Sequence, residues 1–178
     1  MTGSPVGGIL DWSSKVDEVG SAGTSAERTA SPAELAQIAA DLGVVSLEAL
    51  TAKVVLKACG GGKYRLTGHI EGRVTQSCVV SLEPVPARIL EDFQVEFWPP
   101  ELIGPPADGE QGVLEADIPE PIEHGRIAIG RLVFEHVAAC LDPYPRAPEA
   151  TFDAAAHGVG ADKVANPFAV LAKLKPKP

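Results

Sequence analysis

Between Lys63 and Phe97 apolar and polar residues alternate with a period of two. Tyr64, Leu66, Ile70, Val74, Cys78 and Val80 occupy even positions, and Lys63, Arg65, Thr67, His69, Glu71, Arg73, Thr75 and Ser77 lie between them. That pattern predicts one long, half-buried strand over residues 63–80. Gly68 and Gly72 fall on the apolar side, where a missing side chain points to a bulge, a bend or a closely approaching backbone. After Leu82-Glu83-Pro84 the alternation returns in odd register, with Val85, Ala87, Ile89, Phe93, Val95 and Phe97 inward and Arg88, Asp92, Gln94 and Glu96 outward. A short turn between two such runs makes an antiparallel pair over 63–80 and 85–97. Glu91 interrupts the inner row and Leu90 the outer one, which predicts a second bulge near Leu90.

The flanking pattern is helical. Ser31-Pro32-Ala33-Glu34 sets a capping serine, a proline at the first helical position and a glutamate at the third, followed by Leu35, Ile38, Ala39 and Leu42 at helical spacing. A helix over 32–42 is expected to stop at Gly43. Ser46 is read as the cap of a short turn through Leu50, Lys53 to Ala58 as a strand, and Gly60-Gly61-Gly62 as its return into the long strand. Further on, 118–122 is extended, Arg126 to Ile129 is a short strand, and Gly130 to Leu141 carries Leu132, Val133, His136, Val137, Cys140 and Leu141 on one helical face. Asp142-Pro143-Tyr144-Pro145-Arg146 ends that helix, because a residue before proline is pushed out of the helical region. The expected fold is α+β: an antiparallel meander with long strands, packed by two amphipathic helices, plus a tethered C-terminal helix.

This reading divides the chain into a flexible leader or edge strand over 1–29, one domain over 30–146 with an acidic loop at 99–117, a linker over 147–165 and a short helix with a basic tail over 166–178. In the last segment Asn166 caps, and Phe168, Leu171 and Leu174 repeat every three residues as candidate partner-docking anchors. The chain has 178 residues, 45% of them hydrophobic, enough for one core. No apolar run is long enough to cross a membrane and no secretory pattern opens the chain, so no membrane association and a cytoplasmic location are expected.

Charge narrows the partners. The net charge of -9 argues against a general grip on nucleic acid, and DNA is not expected as a ligand. The sum conceals asymmetry: residues 51–90 carry six bases and two acids (+4), 91–125 ten acids and no base (-10), and 163–178 four lysines and no acid (+4). Lys63, Arg65, Arg73 and Arg88 are therefore the candidate RNA-binding residues. Three cysteines, Cys59, Cys78 and Cys140, fit reduced thiols rather than a disulfide framework. Cys78-Val79-Val80-Ser81 has redox-motif spacing with serine in the second place, but no helix N-terminus marks a lowered thiol pKa. The histidines show no paired metal-ligand spacing, and His136 on an apolar helix face reads as a core histidine. No phosphate loop, nucleophile elbow or paired carboxylate motif is present. A non-enzymatic binding or assembly protein without metal or cofactor is the expectation.

Gln76-Ser77-Cys78-Val79-Val80-Ser81-Leu82-Glu83-Pro84-Val85, Leu141-Asp142-Pro143-Tyr144-Pro145-Arg146 and Asn166-Pro167-Phe168-Ala169-Val170-Leu171 together resemble the YceD-like family of large ribosomal RNA subunit accumulation proteins, in the form found in alphaproteobacteria. The motif residues carried by the resemblance are Cys78, Leu82, Glu83, Pro84, Asp142, Pro143, Pro145 and Arg146. Many members place Cys-x-x-Cys at the strand turn; here Ser81 stands in the second position. The resemblance implies a bacterial cytoplasmic factor in ribosome biogenesis, needed for 23S ribosomal RNA accumulation and processing, with no established catalytic activity. Its partner is then a ribosomal protein, an rRNA-processing factor or the 23S rRNA precursor itself. The alternative is a scaffold that docks a protein through its C-terminal helix in another pathway.

Overall fold

The computed structural model describes residues 10–103 and 119–152. In chain order it contains β1 (Ser14–Lys15), β2 (Thr24–Thr29), α1 (Pro32–Leu42), β3 (Ser46–Gly60), β4 (Lys63–Ser77), β5 (Pro84–Trp98), β6 (Glu120–Pro121), β7 (Arg126–Ile127) and α2 (Ile129–Ala139). Short 3-10 turns lie at Val16–Glu18 and Pro100–Leu102. The fold is α+β, as the alternation requires. Five strands pair in the order β2-β3-β4-β5-β6, antiparallel except for the last pair, and β1 pairs with β7 in a separate ribbon.

The alternating rows form one core. Leu50, Ala52, Val54 and Leu56 of β3, Leu66, Ile70 and Val74 of β4, and Ile89, Phe93 and Phe97 of β5 cluster with Ile38 and Ala39 of α1 and with Leu132, Val133 and Val137 of α2. Both helices therefore serve the inner face, and α1 starts on the expected capping box, Ser31 and Glu34 each bonding the other's backbone amide. Between β3 and β4, Gly61 and Gly62 have φ of 60° and 75°, the left-handed pair that a two-residue hairpin turn demands.

Several expectations are corrected. The short turn expected over Ser46 to Leu50 is the first third of β3. A bulge between Leu47 and Ala49 shifts the row there, so Leu47 and Leu50 are both buried although three apart, which imitates helical spacing. No bulge exists at Leu90: β4 and β5 pair without interruption from Tyr64↔Phe97 to Ser77↔Pro84. Glu91 stays on the inner side because α2 meets it there, with His136 Nδ1 3.5 Å from its Oε1. Strand β4 ends at Ser77 instead of continuing to Val80, and residues 78–83 form a turn. Within the expected leader, Thr24–Thr29 is an edge strand of the main sheet; its sequence, TSAERT, lies at an exposed edge and shows no apolar alternation. The segments containing most of the acidic loop, and the C-terminal anchors Phe168, Leu171 and Leu174, lie outside the described residues.

Gly68 explains how α2 is seated. It pairs directly with Phe93, whose ring covers it so closely that a Cβ at position 68 would lie 2.2 Å from a ring carbon. That ring also stacks on His136 of α2, with centroids 4.5 Å apart and an interplanar angle of 22°. Strand, ring and helix thus pack in series, and with Phe93 buried and His136 against it the ring has little room to retreat. Gly68→Ala is expected to lower stability by about 1–3 kcal/mol through overpacking; chemical denaturation should show it, and a silent substitution would disprove the layering.

Candidate functional site

The two central sequence motifs, about sixty residues apart, meet at one end of the β4–β5 hairpin. Gln76, near the end of β4 and almost fully buried, holds the later segment with both ends of its amide: Nε2 donates to the Asp142 carbonyl at 2.9 Å and Oε1 accepts from the Asp142 amide at 3.3 Å. The Val79 amide donates to the Pro145 carbonyl at 2.9 Å. The Asp142 carboxylate accepts from the Tyr144 amide at 2.9 Å and so fixes the Pro-Tyr-Pro turn. Pro145 is buried while Pro143, Tyr144 and Arg146 are exposed.

Cys78 is the centre of this junction and is wholly buried. The turn that follows is closed by Cys78 N–H to Glu83 C=O at 2.8 Å and by Leu82 N–H to Cys78 C=O at 3.0 Å. Its sulfur then faces the amides of Val80, Ser81 and Ala147, each 3.4 Å away. These donors suit an anion. The Ser81 hydroxyl, then the Ser81 and Ala147 amides, bring the thiol from an ordinary 9.0 down to about 6 against the opposing effect of burial. The Ser81 proton has a second acceptor in the Glu83 carboxylate at 3.1 Å, so the three amides are the steady part of the cradle. Sequence reasoning looked for a helix N-terminus as the cause of a low pKa and missed a turn that converges its amides on sulfur.

Cys140 behaves oppositely. Burial, then the neighbouring Glu91 carboxylate, pushes its thiol up. His136 lies in the same layer as the ring partner of Phe93, in keeping with a packing histidine. No group of three or more His, Cys, Asp or Glu residues is placed to hold a metal ion among the described residues.

Lys63, Arg65, Arg73 and Arg88 all occupy outward positions of the sheet, yet they are not equivalent. Arg65 pairs with Glu96 at 2.7 Å, and Lys63 Nζ lies 3.5 Å above the Trp98 ring. Arg73 and Arg88 are cross-strand partners. Neither makes an ion pair among the described residues, although the charge of Glu48 at the β3 bulge reaches Arg73. The next outward row holds Glu71 beside Leu90, and in the one beyond it Glu27, Lys53, His69 and Asp92 follow one another across four strands. Asp92 at 2.7 Å, and then Glu71, favour the protonated form of His69 and raise its pKa.

The chain is thus an α+β protein whose distant motifs are bonded into one loop junction at the end of a sheet with an outward face of mixed charge. The sequence model described as large ribosomal RNA subunit accumulation protein YceD matches residues 66–175, and the chain belongs to that family. Both motif segments of the junction lie inside the match, and the family ties the chain to accumulation of large-subunit ribosomal RNA. No curated protein and no solved structure matches it.

Two outcomes test the junction. Replacing Gln76 by Ala strands the Asp142 amide and carbonyl and should lower stability by about 1–3 kcal/mol, read from denaturant unfolding. Titrating the native protein by thiolate ultraviolet absorbance should give one midpoint near 6 that Cys78→Ala removes. Because the folded state lowers this pKa, the stability it supplies is complete above 9.0 and is lost as pH falls through about 6. A titration without a thiol below the ordinary range would refute the cradle.

Proposed function

We propose that this protein supports 23S ribosomal RNA accumulation and large-subunit assembly as a non-catalytic factor that acts through a protein partner, a ribosomal protein or a processing enzyme. The observation that carries this reading is the outward sheet face. Its cross-strand rows mix acids with bases, as in Glu27, Lys53, His69 and Asp92 or Lys57, Arg65 and Glu96, and the two cation pairs, Arg73 with Arg88 and Lys57 with Arg65, lie in separate rows with acids between them. An RNA backbone is neutralised by clustered cations, whereas a face on which acids and bases are intermixed complements another protein. Leu90, 65% exposed and adjoining Arg88 two positions along β5, adds an apolar contact to that face. The acidic segment 91–125 contributes charge of the kind that basic ribosomal proteins accept.

The test is affinity capture of the tagged full-length chain from cells, with and without ribonuclease. Large-subunit assembly proteins should remain bound after nuclease treatment, and Arg73→Glu with Arg88→Glu should reduce their recovery about tenfold or more. Loss of all ribosomal components on nuclease treatment would instead assign the contact to RNA.

A further inference from the structure

Strand β5 has β4 on one side along its whole length, but on the other side β6 pairs with it only at Phe97 and Trp98. Two bonds fix which of its backbone groups face that open side. The Val45 amide donates to the Thr75 carbonyl, so Thr75 turns away from β5 and its partner Pro86 turns toward the open edge. The Ile122 amide donates to the Trp98 carbonyl, so Trp98 faces the same edge. The β4–β5 ladder has no bulge between these points, and Arg88, Leu90, Asp92 and Gln94 therefore direct amide and carbonyl out of the sheet. No backbone hydrogen bond among the described residues uses them. Both ends of this row are closed, one by Pro84 and Pro86, which have no amide to donate, the other by β6. The open stretch has a defined length and offers main-chain bonds to one extended strand.

The side chains of the row select that strand. Arg88 lies opposite Arg73 on β4, a pairing of like charges, and makes no ion pair among the described residues. The Asp92 carboxylate is 85% exposed and gives one oxygen, Oδ1, to His69. Leu90 stands between them, exposed at the edge. The order Arg88, Leu90, Asp92 is its own complement when a second copy runs antiparallel. With Leu90 opposite Leu90, each Arg88 falls opposite Asp92 and each Gln94 opposite Pro86, whose carbonyl can accept the Gln94 amide. Each Arg88 then has an acid on the side away from Arg73. Moving the symmetry axis two residues along the strand sets Arg88 against Arg88 or Asp92 against Asp92, and moving it by one leaves Arg88 opposite Leu90 or Gln94. On the inner side of the sheet, Ala87, exposed in the single chain, comes beside Phe93 of the second copy.

We propose that the open edge of β5 joins two copies of this chain into a symmetric dimer with one continuous sheet, Leu90 meeting Leu90 at the axis and Arg88 meeting Asp92 on either side. The outward faces of the two copies then merge into one surface, and the pairing does not rest on which partner that surface binds. Sedimentation equilibrium of the purified full-length chain should show a dimer. Arg88→Asp and Asp92→Arg each oppose like charges and should raise the dissociation constant about tenfold or more. The two substitutions together exchange the ends of each pair and should return it toward the original value. Circular dichroism should show the native sheet in all three variants. In a Cys59→Ala background, Leu90→Cys should form an intermolecular disulfide on mild oxidation, because directly opposed residues of this kind lie about 5.5 Å apart. Arg88→Cys should not, since its two copies stand about 13 Å apart along the ribbon. A chain that sediments as a monomer would leave the edge to residues 104–118 or to another protein and would overturn the proposal. Single charge variants that dimerise like the original chain, a natively folded double variant no tighter than either single one, or cross-linking at position 88 as readily as at 90 would each do the same.

Discussion

The junction depends on one side chain taking the place of a strand. Beyond Ser77 the β4–β5 ladder stops, and the segment after α2 has three prolines, at 143, 145 and 148, that cannot donate amides. Gln76 substitutes for the missing ladder by giving its own amide to the backbone of Asp142. Gln76 itself is buried, so its amide has little access to water as an alternative partner once the loops close. With Asp142 fixed, the Pro145 carbonyl reaches Val79 and the Ala147 amide reaches the Cys78 sulfur. A single apolar residue at position 76 would continue the inner row of β4 and leave the second loop unattached.

The inner face of the sheet was legible because burial imposes a period of two, and β4 and β5 keep that period through every pair. Features were missed where another element altered the rule. Glu91 looked like an error in the inner row because the His136 that meets it is forty-five positions away. The row of β3 was hidden by a bulge that inserts Glu48 and changes which residues face inward. In β2 an edge position packs only Ala26 against the core, which leaves no apolar alternation and a composition that reads as loop. Motif residues could be named from the sequence, but their spatial meeting could not, since Gln76 and Asp142 have no shared local pattern.

Among the candidate cations, sequence supplied the shared face and structure supplied their differences. Residue parity along β4 and β5 is sufficient to put Lys63, Arg65, Arg73 and Arg88 outward. Cross-strand register decides what each one faces: Arg65 meets Glu96, whereas Arg73 meets Arg88. The same register puts Glu71, Asp92 and Glu96 in rows between or beside the cations, so a local excess of positive residues in sequence does not become a continuous positive surface. Linear charge density is a poor guide here because each row across the sheet draws on strands from different parts of the chain.

The uninterrupted pairing of β4 with β5 has a consequence for distance. Fourteen consecutive pairs, at about 3.3 Å per residue, make a ribbon roughly 45 Å long. Lys63 with its Trp98 ring is at one end and the Cys78 turn at the other. A ribbon without a bulge has no built-in joint, so groups engaged at its two ends are held apart at a set spacing, as by a molecular calliper.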